Sequence, residues 1–440
     1  MKLSPPPHIL IIGYVWPEPC SSAAGIRDWD FIRIFKKAGW RITFSSPSGL
    51  NSYASAIEAE GIATYTFKPN DPAFDPFISQ LSPDVVLFDR FVIEEQFGWR
   101  VRDQCPNALL VLDTQDLHLL RRARERALTS GASLDAIFDT KIDLHSDDSN
   151  RELASIYRCD LSLILSDFET ALLVEHFGVS TSLLMTFGFC YPEPLTLNRP
   201  YQDRSEYVMI GNFRHPPNAD ATFWLKNEIW PYIRALSPAA QVFVYGAYPS
   251  REIMQLNDPI TGFRVMGPAD HSIETLRNYR VNLAPLRFGA GIKGKIADGW
   301  MAGTPAVGTP LAAEGMQIKG EWGGLVARDA RAFAAAAVRL HSDPELWESA
   351  VKSGTRILKN NFEFSKLQPL LLKRIHETQD VLSLHRKKNI VGEILWYHGN
   401  RSTQYFSKWI ELKNQISAAN DSRAQNNLAA GNPIETPKAL

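Results

Sequence analysis

Short, almost wholly apolar runs alternate along this chain with longer stretches of helical periodicity. In the first half the apolar runs fall at residues 8–13, 41–45, 64–67, 84–88, 108–113, 161–166 and 183–186. Between them the pattern predicts helices over 26–38, 52–60 and 94–104, and a long polar helical region from 118 into the 150s. A strand that is apolar on both sides is covered on both faces, which is the signature of a parallel sheet sandwiched between helices. Residues 1–190 therefore read as a Rossmann-like α/β domain. Within it, Ser166-Asp-Phe-Glu169 has the spacing of a capping box and opens a helix that ends near Phe177 and Gly178.

The periodicity lapses over 191–206, where prolines and polar residues predominate, and this stretch reads as an interdomain linker. The alternating scheme resumes at Tyr207 and defines a second α/β domain over 207–364. Residues 365–417 read as helical, and 418–440, rich in Ala, Asn and Ser without an apolar face, are expected to be disordered.

The densest chemistry lies at 284–298, APLRFGAGIKGKIAD, where a short buried strand passes into a helix. A helix N-terminus carries partial positive charge and free N–H groups, and Gly289, Gly291 and Gly294 allow a ligand close to the backbone. Lys293 and Lys295 add full charges, each charge-assisted bond to a phosphate contributing about 1.5–3 kcal/mol. A second strand and glycine turn follow over 305–316 with one acid, Glu314. Strand, phosphate turn, helix, strand and acidic turn together describe a nucleotide-sugar site.

These motifs resemble the retaining glycosyltransferases of family four, in the subgroup with a GAGIKxK turn followed by GTPxV and EG. The resemblance extends through 207–220, 241–246 and 263–267, strands and a loop in the family's order. It implies the GT-B fold, two Rossmann-like domains facing across a cleft, with the donor on the C-terminal domain and the acceptor mainly on the N-terminal one. It also implies transfer of a sugar from a nucleoside-diphosphate sugar to a hydroxyl acceptor, with retention and without a bound metal or other cofactor. In that reading Arg214 and Lys293 contact the diphosphate, and Asp298 matches the second glutamate of the family's E-x7-E motif, which meets the ribose. The first glutamate falls on Ala290, a departure that leaves Glu314 as the leading carboxylate near the donor. Gly25, after the first strand, matches the glycine of a loop that approaches the donor phosphates. Asp116 and His118 end a strand that points at the cleft, with His118 a candidate to meet the sugar or assist the acceptor hydroxyl. Asp89 and Arg90 are further rim candidates for the acceptor, and the basic run 121–126 reads as a solvated helix face. A sugar-nucleotide-binding protein without turnover, and a GT-B epimerase or phosphorylase, are the alternatives.

Composition narrows the partners. A net charge of −1 over 440 residues offers no general attraction to nucleic acid or an anionic surface, so an anionic ligand must be held by a local site. Four scattered cysteines suggest neither a disulfide framework nor a zinc site, and fit a reducing, cytoplasmic setting. The apolar run near the N-terminus is too short for a signal peptide or a membrane span, so membrane association is expected to be peripheral at most.

Overall fold

The computed structural model describes residues 5–18, 23–192 and 199–429. Seven strands form the first sheet: β1 (His8–Ile12), β2 (Arg41–Ser46), β3 (Ala63–Thr66), β4 (Val85–Asp89), β5 (Leu109–Asp113), β6 (Leu161–Ile164) and β7 (Leu184–Thr186). All pairs are parallel, in the order β3-β2-β1-β4-β5-β6-β7. Because side chains alternate across a strand, the two faces feed separate cores. Leu10, Ile12, Val86, Phe88, Leu110 and Leu112 enter one, and Ile9, Ile11, Val85, Leu87, Leu109 and Val111 the other.

The second sheet contains β8 (Ser205–Ile210), β9 (Val242–Tyr245), β10 (Phe263–Gly267), β11 (Tyr279–Ala284), β12 (Ala306–Gly308) and β13 (Gly324–Val326). It too is parallel, in the order β10-β9-β8-β11-β12-β13. In each sheet the order reverses between the first and fourth strands, and such switch points leave a crevice at the carboxyl strand ends. Two Rossmann-like domains thus stand in sequence, joined by segments that cross between them.

The chain crosses twice, and the crossings are pinned together. Tyr191 N–H donates to the Phe362 carbonyl at 2.7 Å and Phe364 N–H to the Tyr191 carbonyl at 2.8 Å. Beyond the second crossing, the helix Phe364–Asp380 returns to the first domain, where Leu371 and Ile375 join a core face of its sheet. Gln368 Nε2 donates to the Ile34 carbonyl at 2.9 Å, and Arg386 grips Asp160 with two bonds of 2.7 Å.

Two expectations need correction. The long polar region after His118 is not one helix but three, His118–Thr129, Leu134–Phe138 and Asp147–Arg158, since Gly131 and the segment 139–146 interrupt it. The stretch from 418 is not disordered through to its end: the helix Ile390–Ala429 continues across it, and only 430–440 lie outside the described residues. Lack of an apolar face bears on docking rather than on helicity. Ala, Gln, Arg and Leu are good helix formers, and extension of an existing helix needs no new nucleus. Of the expected linker, residues 193–198 also lie outside the described residues.

The returning helix makes a testable claim about the core. Leu371→Ala should lower stability to urea by about 2–5 kcal/mol, as for any fully buried leucine. A change within about 0.5 kcal/mol, the range of surface substitutions, would show that this helix is not part of the first domain's core.

Candidate active site between the two sheets

The carboxyl ends of both sheets open into one cavity of about 980 Å³. From the first domain, Arg90 follows β4, and Gln115, Asp116 and His118 follow β5. From the second, Arg214 follows β8, Tyr248 follows β9, Ser272 follows β10, and Gly289, Lys293 and Lys295 follow β11. The strand-to-loop transitions that the sequence singled out in the two halves therefore converge.

The glycine turn takes the form its composition requires. Gly289 has φ +148° and Gly291 φ +65°, conformations that L side chains rarely adopt. A Cβ on Gly291 would lie 3.0 Å from the Cβ of Asp116, so the turn runs close against the opposite domain. Lys293 caps the helix Gly294–Met301, whose first N–H groups, those of Gly294 and Lys295, find no acceptor among the described residues. Such groups are donors left available to a ligand.

The two lysines are packed into the wall of the cavity. Lys293 Nζ donates to the Gly291 carbonyl, and burial lowers its pKa against the opposing pull of Glu314. Lys295 Nζ donates to Asn218 Oδ1; burial, followed by the charge of Lys293, pushes its pKa down to about 7. A bound dianion would reverse both effects. Asp298, one turn on, accepts from Tyr191 Oη at 3.0 Å and Ser272 Oγ at 2.7 Å. Burial raises its pKa and these two bonds oppose the rise.

On the facing wall, Asp116 accepts from Arg121 Nε at 2.7 Å and lies 3.2 Å from His118 Nδ1. Burial alone would raise the Asp116 pKa, but Arg121 and His118 overcome it and hold the carboxylate well below the ordinary range. The wall is also conformationally strained. Arg90 (φ 63°), Gln115 (φ 61°) and Tyr248 (φ 57°) are three of the eight described non-glycine residues with positive φ, and all three line the cavity. Backbone strain of about 1–3 kcal/mol per residue persists where the surroundings over-determine it, typically at functional sites.

Arg214 lines the cavity from an exposed position, with its guanidinium 3.6 Å from the ring centre of Tyr248, but not every candidate reaches the cavity. Gly25 lies in the helix Ala23–Lys37, where an added Cβ would strike the Glu18 carbonyl 2.3 Å away; Ala23, Ala24 and Ile26 line the cavity in its place. The glycine serves close packing of that helix against its preceding loop. Asp89 is buried behind the wall, accepting from Tyr14 N–H at 2.9 Å and Arg90 Nε at 3.1 Å. Glu314 is held by Arg124 in a bidentate pair of 2.8 and 2.6 Å and does not line the cavity. The run 121–126 is accordingly not just a solvated face: Arg121 lines the cavity and Arg124 is fully buried.

Two residues that sequence reasoning left aside hold the turn in place. Glu169, fully buried in the first domain, accepts from Leu117 N–H at 3.0 Å and from Gly291 N–H at 2.8 Å through the same oxygen. Arg124 donates to the Gly289 carbonyl at 2.8 Å while it binds Glu314. Ser166 caps the helix as expected, its Oγ accepting the Glu169 N–H at 3.2 Å, but the Glu169 carboxylate also reaches the other domain. Among the described residues no group of three or more His, Cys, Asp or Glu is placed to hold a metal ion.

Burial lifts the Glu169 pKa from 4.5 to about 7, against the Leu117 and Gly291 N–H groups. The folded state then binds more protons than the unfolded one between those values, so this group's contribution is full below pH 4.5 and is lost as pH rises through 7. Glu169→Gln should flatten the fall in melting temperature across that window. A variant whose pH profile parallels the wild type would show that Glu169 does not titrate there.

Residues 204–343 match the family model described as glycosyl transferases group 1. Among solved structures, sucrose-phosphate synthase from Thermosynechococcus elongatus superposes with a TM-score of 0.65 at 14% identity, covering 86% of this chain and all (100%) of that one. HepE from Anabaena, in complex with UDP and glucose, gives 0.61 at 11% identity over 84% of this chain and 99% of its own. A glycosyltransferase from Rickettsia africae gives 0.61 at 11% identity over 84% and 98%. No curated protein matches the sequence. The second sheet and the glycine turn thus fall within the stretch that matches the group 1 glycosyl transferase model, and the two domains together have the GT-B fold.

Proposed function

We propose that this protein transfers a sugar from a nucleoside-diphosphate sugar to a hydroxyl acceptor, with retention of configuration and without a bound metal. The observation that carries the reading is the glycine turn: unengaged helix N–H groups and two lysines open into a cavity whose far wall supplies Arg90, Asp116 and His118. Breaking the glycosidic bond to a diphosphate builds negative charge on phosphate oxygens, and preorganised cations in a water-poor site stabilise it. Lys293, the start of the helix Gly294–Met301 and Arg214 at the rim supply that charge from the protein itself. Asp298 takes the ribose.

Retention follows if the acceptor enters on the face from which the diphosphate departs. The new carbon–oxygen bond forms there as the old one breaks, and a departing phosphate oxygen takes the hydroxyl proton. Asp116, already engaged by Arg121 and His118, orients the sugar or acceptor rather than acting as a free base. UDP is the first nucleotide to test, because the HepE neighbour holds UDP with glucose.

With a chelator present, UDP should raise the melting temperature of the wild type. Lys293→Ala should weaken UDP binding by about 1.5–3 kcal/mol, roughly 10- to 150-fold, while leaving uridine affinity nearly unchanged. Asp298→Asn should weaken UDP and uridine alike. Stabilisation that needs a divalent metal, or identical behaviour of the two variants, would overturn the assignment. In turnover with a UDP-sugar, NMR of the first-formed glycoside should show the donor's anomeric configuration, and an inverted product would refute retention.

A further inference from the structure

The helix Ile390–Ala429 has two sides of different character. One side is docked on the first domain. Trp396 Nε1 donates to the Arg158 carbonyl at 2.9 Å, Glu393 pairs with Arg102 at 2.9 Å, Glu411 pairs with Arg100, and Ser407 is buried. The opposite side carries Ile394, Tyr397, Tyr405, Trp409, Leu412 and Ile416, each between 53% and 68% exposed. Tyr405, Trp409, Leu412 and Ile416, spaced four, three and four apart, form one helical stripe, and Ile394 and Tyr397 lie two turns before it on the same side. An exposed apolar stripe of this kind marks an interaction surface.

Charge identifies what covers it. The only acids between 382 and 417 are Glu393 and Glu411, and both are turned inward onto arginines of the first domain. The lysines stay outside: Lys408 and Lys413 are exposed beside the stripe, and Lys387 and Lys388 are exposed at the end of the preceding helix, Leu382–Lys388. The outer side is therefore apolar, aromatic and cationic. Pairing with a second copy would bring like-charged rims together, whereas an anionic lipid surface complements them. Tyr and Trp, each apolar with one polar atom, favour the water–lipid boundary. No helix among the described residues is long and apolar enough to cross a membrane.

We propose that the outer side of this helix lies on an anionic membrane surface, with the aromatic stripe in the headgroup boundary and the lysines against acidic lipids. The inference stands apart from the transferase reading, and its test needs no turnover. The full chain should co-sediment with vesicles of phosphatidylglycerol mixed with phosphatidylcholine, less with phosphatidylcholine alone, and less as salt rises. Lys408→Glu with Lys413→Glu should weaken binding roughly tenfold or more, and Trp409→Glu with Leu412→Glu should weaken it comparably. Both double variants should melt like the wild type, because all four side chains are exposed. If either melts differently, the lipid and salt dependence of the unmodified chain decides. No binding to either vesicle, binding indifferent to both double variants, or a concentration-dependent dimer abolished by Trp409→Glu would overturn the proposal.

Discussion

The candidate site depends on one contact across the cleft, the bond from Gly291 N–H to the buried carboxylate of Glu169. A glycine-rich turn has more conformational freedom to lose than any other segment of its length, so alone it would not hold donors in a fixed array. Glu169 fixes the Gly291 end and Arg124 the Gly289 end, both from the other domain. The bond from the Arg124 guanidinium to the Gly289 carbonyl is charge-assisted and contributes about 1.5–3 kcal/mol, enough to offset the ordering of one or two residues. The geometry of the turn is therefore a property of the two domains together.

The same clamp explains why charged groups are tolerated so deep in the interface. The two terminal nitrogens of Arg124 bond the Gly289 carbonyl, Thr140 and both oxygens of Glu314, its Nε remaining without an acceptor among the described residues, and Glu169 accepts two N–H groups with one oxygen. Removing one partner of such a set leaves a buried charge uncompensated, at about 3–5 kcal/mol. Beneath the cavity, Arg27 bonds Asp113 and the Gly188 carbonyl at 2.8 Å each, tying the end of β5 to the segment that leads to the first crossing. Arg90 N–H donates to the Asp113 carbonyl at 2.7 Å, so this strained residue is tied to the same strand end.

Much of the architecture was legible because parallel strands declare themselves as unbroken apolar runs, and the glycine turn because several constrained residue types coincide there. The order of the strands was not legible, since local pattern does not say which neighbour a buried strand takes. Glu169 was hidden by a correct local reading: its capping-box spacing accounted for its backbone and left its carboxylate unexamined, 122 residues from Gly291. Arg124 was hidden in a basic run where Arg122 and Arg126 do face outward, and only the fold shows that one turn of that helix meets Glu314, 190 residues away. Gly25 carries a second constraint that the motif did not show: a Cβ there would lie 2.3 Å from the Glu18 carbonyl oxygen.

The pinned crossings at Tyr191 set how the two halves can move. Two strands of backbone bonded to each other at one place act as a hinge pin: bending about that line leaves both bonds intact, whereas sliding one half past the other tears them. The Tyr191 hydroxyl also holds Asp298 at 3.0 Å, so the residue that pins the two crossings is also the one that fixes a carboxylate beside the glycine turn. A strain at the crossings is therefore passed to the cavity wall through a single side chain.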